Sequence, residues 1–408
     1  MNRARKERVL GVGLVGVGGA AVNMLPAFER SPYFKITAAA DRDGEVLQRF
    51  AHDYPEAKTF GSVEELAECD AVDLVYIGTP SRLHHAHACA ALTRGKHVLI
   101  EKPMAVTLEE AEEMIVVAER NGALLGVNVK HSFEPRIGEL RRLARSGELG
   151  RLRLVNSWRY VNWLYQPRSK AEKTPGWGSG ILWRQGPHQF DYLRTICGGL
   201  LRSVRGTCQV FDPARGVPGA YSAFLEFEDG TVCTATCSGY DHFNSRRLVP
   251  GSKEPRHGEA RAVLAAHAAE ANWEEAAAAG ERYQIGDRPK ANDASSSSGW
   301  LLGGPVIASF ERGDVRFSAT GLIVDGDTEQ WEIPLQDRGD GRDGRLTTFY
   351  RAITLGQPLP ADGRWGKATQ EVLVALEDSA AKRTEVMLKH QTAVVDPLDH
   401  DERIGLQA

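Results

Sequence analysis

Gly13-Leu14-Val15-Gly16-Val17-Gly18-Gly19-Ala20-Ala21 closes an apolar, strand-like run and opens a helical one. In such a strand–turn–helix, Gly16 makes the tight bend, Gly18 lets backbone approach a pyrophosphate, and the small Ala21 allows close packing of helix on strand. The helix N-terminus, from Gly19 and Ala20 onward, offers unpaired N–H groups to the anion. Around the motif, Val9 to Val17 reads as a buried parallel strand, Ala20 to Arg30 as a helix, and Phe34 to Ala40 as a second strand ending in Asp41. That acid lies about 20 residues beyond the motif, where a carboxylate accepts from an adenosine ribose 2′-OH. The expected cofactor is NAD. Arg42 follows at once and suits a 2′-phosphate, which leaves NADP as the second choice.

Outward from this unit, strands and helical segments alternate to about Val129. An acidic helix (Ser62 to Glu68) is followed by a strand (Val72 to Ile77), a helix (His84 to Arg94), a strand (His97 to Ile100), a helix (Thr107 to Asn121) and a strand (Leu124 to Val129). This pattern predicts a parallel sheet covered on both faces. Gly78-Thr79-Pro80 and Glu101-Lys102-Pro103 fall at strand ends, the edge where such sheets bind ligands.

Beyond Arg136 the period changes. A helix from Arg136 to Ser146 leads into a strand over Leu152 to Tyr160, a helix near Leu182 to Ile196, and strands over Val204 to Val210, Ala220 to Glu228 and Thr231 to Gly239. Asp229-Gly230 is a hairpin signal. Val306 to Glu311 and Val315 to Val324 continue the strands, and Arg312-Gly313-Asp314 between them reads as a turn rather than an adhesion motif. Residues 246–300 carry an Ala/Glu-rich helical stretch, Gly258 to Arg282, and the run Ser295-Ser296-Ser297-Ser298, and read as a partly mobile insertion. A last long helix is expected over Lys367 to Lys382.

The expected fold class is an α/β N-terminal Rossmann domain, a doubly wound parallel sheet, over residues 1–129. An α+β domain with a largely antiparallel open sheet follows over 130–345, carrying the insertion 246–300. A helical segment and tail occupy 346–408.

Composition excludes several function classes. With 408 residues, 42% hydrophobic, 25% charged and a net charge of -4, the chain carries no balance that announces nucleic acid or a membrane surface. The basic start MNRARKERVL lacks an apolar leader core, and no run approaches a spanning helix, so a cytoplasmic location is expected. Six cysteines show no C-x-x-C spacing; Cys233 and Cys237 share a strand face and read as buried free thiols. His84, His85 and His87 cluster without a partner at zinc spacing, and no metal is expected.

The turn at Gly16, the Gly78-Thr79-Pro80 loop with His84 behind it, Glu101-Lys102-Pro103, and Gly186-Pro187-His188 with Asp191 following together resemble the Gfo/Idh/MocA oxidoreductase family over nearly the whole chain. The resemblance implies that Lys102 is the active-site lysine and His188 its catalytic partner, with Thr79, Pro80, His84 and Glu101 on the cofactor side. The chemistry agrees: an ammonium can polarise a hydroxyl that is becoming a carbonyl, and an imidazole titrating near neutrality can accept its proton.

One position departs from the pattern. Many sugar and polyol members carry an aspartate four residues before this histidine, where Arg184 stands. A guanidinium offers a bidentate fork to a carboxylate. Lys130, His131, Arg159 and Arg168 fall in segments expected beside the same site. Shorter runs, among them His131-Ser132-Phe133, Tyr165-Gln166-Pro167-Arg168 and Ser238-Gly239-Tyr240-Asp241-His242-Phe243, are similar to the branch containing phthalate 4,5-cis-dihydrodiol dehydrogenases. The implied reaction is NAD-dependent oxidation of a phthalate-type cis-dihydrodiol to a catechol. A sugar, inositol or sugar-acid dehydrogenase, an NAD-dependent glycosidase and a non-enzymatic cofactor-sensing regulator remain as alternatives. The expected partners are a small anionic ring or polyol substrate and a second copy of the chain, as dimer or tetramer.

Overall fold

Apolar runs too short for helices, each buried along its length, can persist only inside a sheet covered on both sides. In the computed structural model such runs make up most of a six-stranded parallel sheet in the order β3-β2-β1-β4-β5-β6. The strands are β1 (Leu10–Val15), β2 (Phe34–Ala40), β3 (Lys58–Phe60), β4 (Leu74–Ile77), β5 (His97–Ile100) and β6 (Leu125–Val127). The structure describes residues 8–165, 178–240, 242–251, 282–288, 304–335 and 342–395. Strand order reverses between β1 and β4, so the crevice at their carboxyl ends is the switch point where such sheets bind ligands.

Five helices connect these strands: α1 (Gly19–Arg30), α2 (Gly44–Asp53), α3 (Val63–Ala67), α4 (His84–Thr93) and α5 (Leu108–Arg120). Their starts are set by side chains. Asp43 accepts from the Glu45 and Val46 amides at the head of α2. Thr107 and Glu110 form a reciprocal capping box on α5. The sequence reading passed over α2 and β3. The buried stripe of α2 is only Val46 and Phe50, and β3 is a three-residue segment with two exposed positions, so neither shows a clear period.

Among the described residues the second sheet has nine strands: β7 (Leu152–Tyr160), β8 (Leu201–Gln209), β9 (Ala220–Phe227), β10 (Val232–Ser238), β11 (Val306–Phe310), β12 (Gly313–Phe317), β13 (Gly321–Gly326), β14 (Gln330–Pro334) and β15 (Val386–Met387). Their order is β14-β13-β12-β11-β7-β10-β9-β8-β15, antiparallel except for the β7/β10 pair. The single strand expected over Val315 to Val324 is two: the chain turns at Ser318, whose N–H donates to Gly321 O at 3.0 Å, and β13 runs back along β12. Two polar residues and a glycine there do not announce themselves against the flanking apolar residues.

One face of this sheet packs into a core with α6 (Pro135–Ser146) and α7 (Gly180–Cys197). Cys233 and Cys237 are fully buried in it as free thiols, and the Cys233 Sγ lies 3.3 Å from that of Cys197. The strand register puts Phe224, Thr234, Asn156 and Ile307 in one row across the opposite face, where Phe224 is 46% and Trp158 40% exposed.

The two compact units are discontinuous in sequence. The first comprises residues 1–128, 279–295 and 342–366; the second comprises 129–278, 296–341 and 367–408. The segment expected at 346–408 is therefore divided. The helix α8 (Arg342–Leu355) packs on α1, with Tyr350 stacked on Tyr33 at 4.3 Å. The helix α9 (Gly363–Lys382), which starts four residues before its expected first residue, sends Val372, Leu373 and Leu376 into the core of the second unit. The insertion 246–300 is also divided. The helix expected over Gly258 to Arg282 lies outside the described residues but for Arg282, which is extended and forms an antiparallel bridge with Gly18.

Candidate active site

In the first unit the site is built mostly from backbone. Gly16 sits at φ +82°, and a Cβ there would lie 2.7 Å from Thr79 Cγ2, so the turn and the Thr79 loop approach as only glycine allows. Behind it, α1 begins at Gly18 with no side-chain cap and no acid in its first turn, in contrast to α2 and α5. Asp41 Oδ2 accepts from the Val17 amide at 2.9 Å and Oδ1 from the Asp43 amide at 3.0 Å. Each oxygen keeps a second lone pair for a ribose hydroxyl. Close-approach glycine, uncapped helix and carboxylate together fit a dinucleotide. Arg42, beside Asp41, is exposed.

His84 ties the two catalytic-edge loops together. Its Nε2 lies 2.8 Å from Thr79 O and its Nδ1 2.9 Å from Pro103 O. Burial lowers the His84 pKa against the opposing pull of those two carbonyls and of Glu101. Glu101 is itself held: Oε1 accepts from Tyr76 OH at 2.8 Å and from the Asn128 amide, and Oε2 accepts from the Lys102 amide at 3.2 Å. Lys102 is half-buried and is followed by a cis peptide bond to Pro103. Tyr76 and Asn128 were not singled out from sequence; each lies in an apolar strand context that hides where its polar end points.

The three neighbouring histidines do not share a site. His84 is buried as described, His87 Nδ1 lies 3.1 Å from Thr79 Oγ1, and His85 Nε2 lies 2.9 Å from Glu113 Oε2. His85, Cys89 and Glu113 bring one ligand atom each within 4.8 Å of one another. This corrects the expectation that the cluster has no cysteine or carboxylate beside it: Cys89 is one turn on, and Glu113 comes from α5. Burial, with help from Glu113, pushes the Cys89 thiol up to about 11, so a metal there would have to displace a firmly held proton.

In the second unit the site is built from side chains. His188 is on α7 one residue after Pro187, which removes an amide donor from the middle of the helix. The His131 ring meets His188 edge-on at 4.9 Å and Tyr192 at 6.3 Å. Ser132 donates to Asp191 Oδ2 and accepts from Thr195 Oγ1 at 3.0 Å, fixing the short turn that carries His131. Gln189 donates to Ser157 Oγ at 2.8 Å and accepts from Tyr221 OH at 2.6 Å. Burial pushes the Tyr192 phenol up to about 12 and Tyr221 well above its usual value, so both hydroxyls stay protonated.

Arg159, on β7, is 5% exposed. Its Nη2 donates to Gln185 Oε1 at 2.9 Å, one turn of α7 before His188. Its Nε and Nη1 have no hydrogen-bond partner among the described residues. A buried guanidinium with two unanswered donors is costly unless an anion comes to it. Lys130 and Arg184 are half-buried, and Arg168 lies outside the described residues. Gln185, Gln189 and Tyr221 fall in further short runs similar to the dihydrodiol dehydrogenase branch but carry no assigned role in the sequence reading, and Tyr192 reads there as an ordinary helix position.

A parallel sheet with a glycine turn, followed by a mixed open sheet that carries the histidine helix, defines a two-domain dinucleotide oxidoreductase fold. Residues 10–129 match the family model described as oxidoreductase family, NAD-binding Rossmann fold, and residues 137–253 match the Gfo/Idh/MocA C-terminal domain. The chain belongs to the Gfo/Idh/MocA oxidoreductase family.

It is 40% identical over 249 residues to the 1-carboxy-3-chloro-3,4-dihydroxycyclohexa-1,5-diene dehydrogenase of Comamonas testosteroni, a match covering 60% of this chain and 63% of that one. It is 29% identical over 248 residues to the trans-1,2-dihydrobenzene-1,2-diol dehydrogenase of Macaca fuscata fuscata, covering 60% of this chain and 71% of that one. A solved structure from Bordetella bronchiseptica RB50, described as that of a dehydrogenase, superposes with a TM-score of 0.84 at 32% identity, over 93% of this chain and 100% of that one. Among the described residues no helix is long and apolar enough to cross a membrane.

Proposed function

We propose that the protein oxidises a ring cis-dihydrodiol bearing carboxylate, of the phthalate type, to the corresponding catechol with NAD. The observation that carries this reading is Arg159, a buried cation with two open N–H donors whose Nη2 is bonded to Gln185, one helical turn before His188. A neutral polyol would leave that charge uncompensated, whereas a carboxylate answers both donors. The Comamonas relative, whose name specifies a carboxylated dihydroxycyclohexadiene, supports the same class.

When bound, the nicotinamide supplies the hydride acceptor. The protein supplies the rest. His188 takes the hydroxyl proton while the Lys102 ammonium holds the oxygen as it becomes a carbonyl. His131, edge-on to His188, and Gln189, held by Ser157 and Tyr221, fix the neighbourhood of the imidazole. Loss of one hydride and one proton leaves a hydroxydienone, which tautomerises to the aromatic catechol and so draws the reaction forward. Gly16, Gly18, Gly19, Ala20, Asp41, Thr79 and Pro80 bind the cofactor in this reading, with His84 and Glu101 positioning the loops. A cytoplasmic homo-oligomer joined through the outward face around Phe224 belongs to the same proposal; light scattering on Phe224→Glu tests it.

The deciding experiment compares kcat/KM for a phthalate 4,5-cis-dihydrodiol and an uncharged ring diol in wild type and Arg159→Gln. The carboxylated substrate should lose about 10- to 100-fold, the scale of lost charge-assisted hydrogen bonds, and the neutral one far less. Equal losses on both would make Arg159 structural. Wild-type preference for inositols or sugars would favour the sugar-dehydrogenase alternative.

A further inference from the structure

Residues 282–288 return to the first unit and lie along α2 from its N-cap Asp43 to its last residue Asp53. At the far end the segment is pinned several times over. Tyr283 is fully buried, its ring edge-on to Phe50 at 5.4 Å, and its hydroxyl donates to Asp53 Oδ2 at 2.8 Å. The Gly286 amide donates to the same oxygen at 2.7 Å. Arg288 donates to Asp53 O at 2.6 Å, lies over the Tyr54 ring at 4.3 Å, and pairs with Glu29 and Glu56 at 3.4 Å each.

At the near end the segment meets the glycine turn itself. The Tyr283 amide donates to Val17 O at 3.2 Å, and Arg282 bridges Gly18, the residue through which backbone approaches a pyrophosphate. The Arg282 side chain is 54% exposed and only loosely paired, with Nη1 3.6 Å from Asp43 Oδ2. Gln284 accepts from Arg49 at 3.3 Å, which keeps the backbone flat against α2.

We propose that residues 282–288 are a cofactor-binding strap, and that Arg282 at its head binds the diphosphate of the dinucleotide. The glycine turn supplies backbone N–H groups and a helix terminus but no formal positive charge of its own. Arg282, within the insertion, is a cation that the chain brings to Gly18, and the pinned end holds it there at little entropic cost on binding. The role of this part of the insertion is thus on the cofactor side. The inference rests on the family's dinucleotide site alone and needs no substrate.

Equilibrium titration of the full-length protein with NAD⁺, ADP-ribose and adenosine, followed by intrinsic fluorescence or calorimetry, tests it. Arg282→Gln should weaken NAD⁺ and ADP-ribose by about tenfold, leave adenosine unchanged, and leave the melting temperature of the cofactor-free protein where it was. Tyr283→Phe keeps the buried ring, removes the bond to Asp53, and should weaken NAD⁺ by a few-fold. Unchanged NAD⁺ affinity in Arg282→Gln would overturn the proposal. So would tighter binding, which would mean that the strap competes with the dinucleotide, or an equal loss for adenosine, which would mean that the charge does not act on the diphosphate.

Discussion

The two units hold their candidate functional residues with different materials. In the first, many fixed points are backbone: the Gly16 turn, the amides on Asp41, and the carbonyls of Thr79 and Pro103 on either side of His84, with Glu101 held by Tyr76 and Asn128 as the side-chain exception. In the second, side chains hold one another: Arg159 to Gln185, Gln189 to Ser157 and Tyr221, Ser132 to Asp191. Backbone geometry is dictated by the few residue types that permit it, so it constrains sequence tightly and serves one ligand. A side-chain network can be rewritten position by position, which suits the substrate side of the proposed reaction.

The strongest way to test that division is to remove one group from each half. Lys102→Ala and His188→Ala should each lower turnover by about a hundredfold or more, as for positioned acid–base groups. NAD⁺ affinity in His188→Ala should stay at the wild-type value by fluorescence titration. A large loss of cofactor binding there would mean that the halves are not separable.

Next in size is Gly16→Ala. A residue with a Cβ at φ +82° costs about 1–2 kcal/mol, and the methyl also meets Thr79. Both urea stability and NAD⁺ affinity should fall, and normal affinity would show that the turn tolerates rearrangement.

The smallest expected effect is a pH dependence. His84, His87 and His97, all in the first unit, have pKa values lowered by burial, so each takes a proton less readily when folded than when unfolded. A lowered base contributes no instability above its unfolded value of about 6.5; stability is lost as pH falls below that value and the loss levels off at the folded pKa. His84→Gln should flatten the decline between pH 6.5 and 5 by up to about 1.4 kcal/mol per pH unit, one proton's worth. An unchanged slope in urea titrations would mean that His84 carries its proton in the fold.

What could be read in advance follows the same division. Gly16, Asp41, Lys102 and Pro103 stand at strand ends with residue types that mean something locally, and the parallel sheet around them is written in buried runs. Arg159 could be named as a cation near the site, but the partnership with Gln185 that leaves two of its donors open depends on strand and helix meeting. Tyr76 and Asn128 were not singled out for a plainer reason: each sits in an apolar strand run, and only the tertiary structure decides where its hydroxyl or amide ends. The late return of residues 282–288 and 342–366 had no signal, because a pattern of period 2 or 3.6 says nothing about which distant element a segment joins.

That late return governs how the chain can mature. The first unit is completed by Leu346, Phe349, Tyr350 and Leu359, with the amide of Val127 bonded to Ala361 O and a Gly126 backbone bridge to Asp362. During synthesis the ribosome must add roughly 200 further residues after β6 before those groups exist, a delay on the order of tens of seconds. Through that interval the outer strand β6 stands as an open edge and α1 lacks its α8 neighbour, so the nascent chain offers a sticky surface until residues 342–366 have been made.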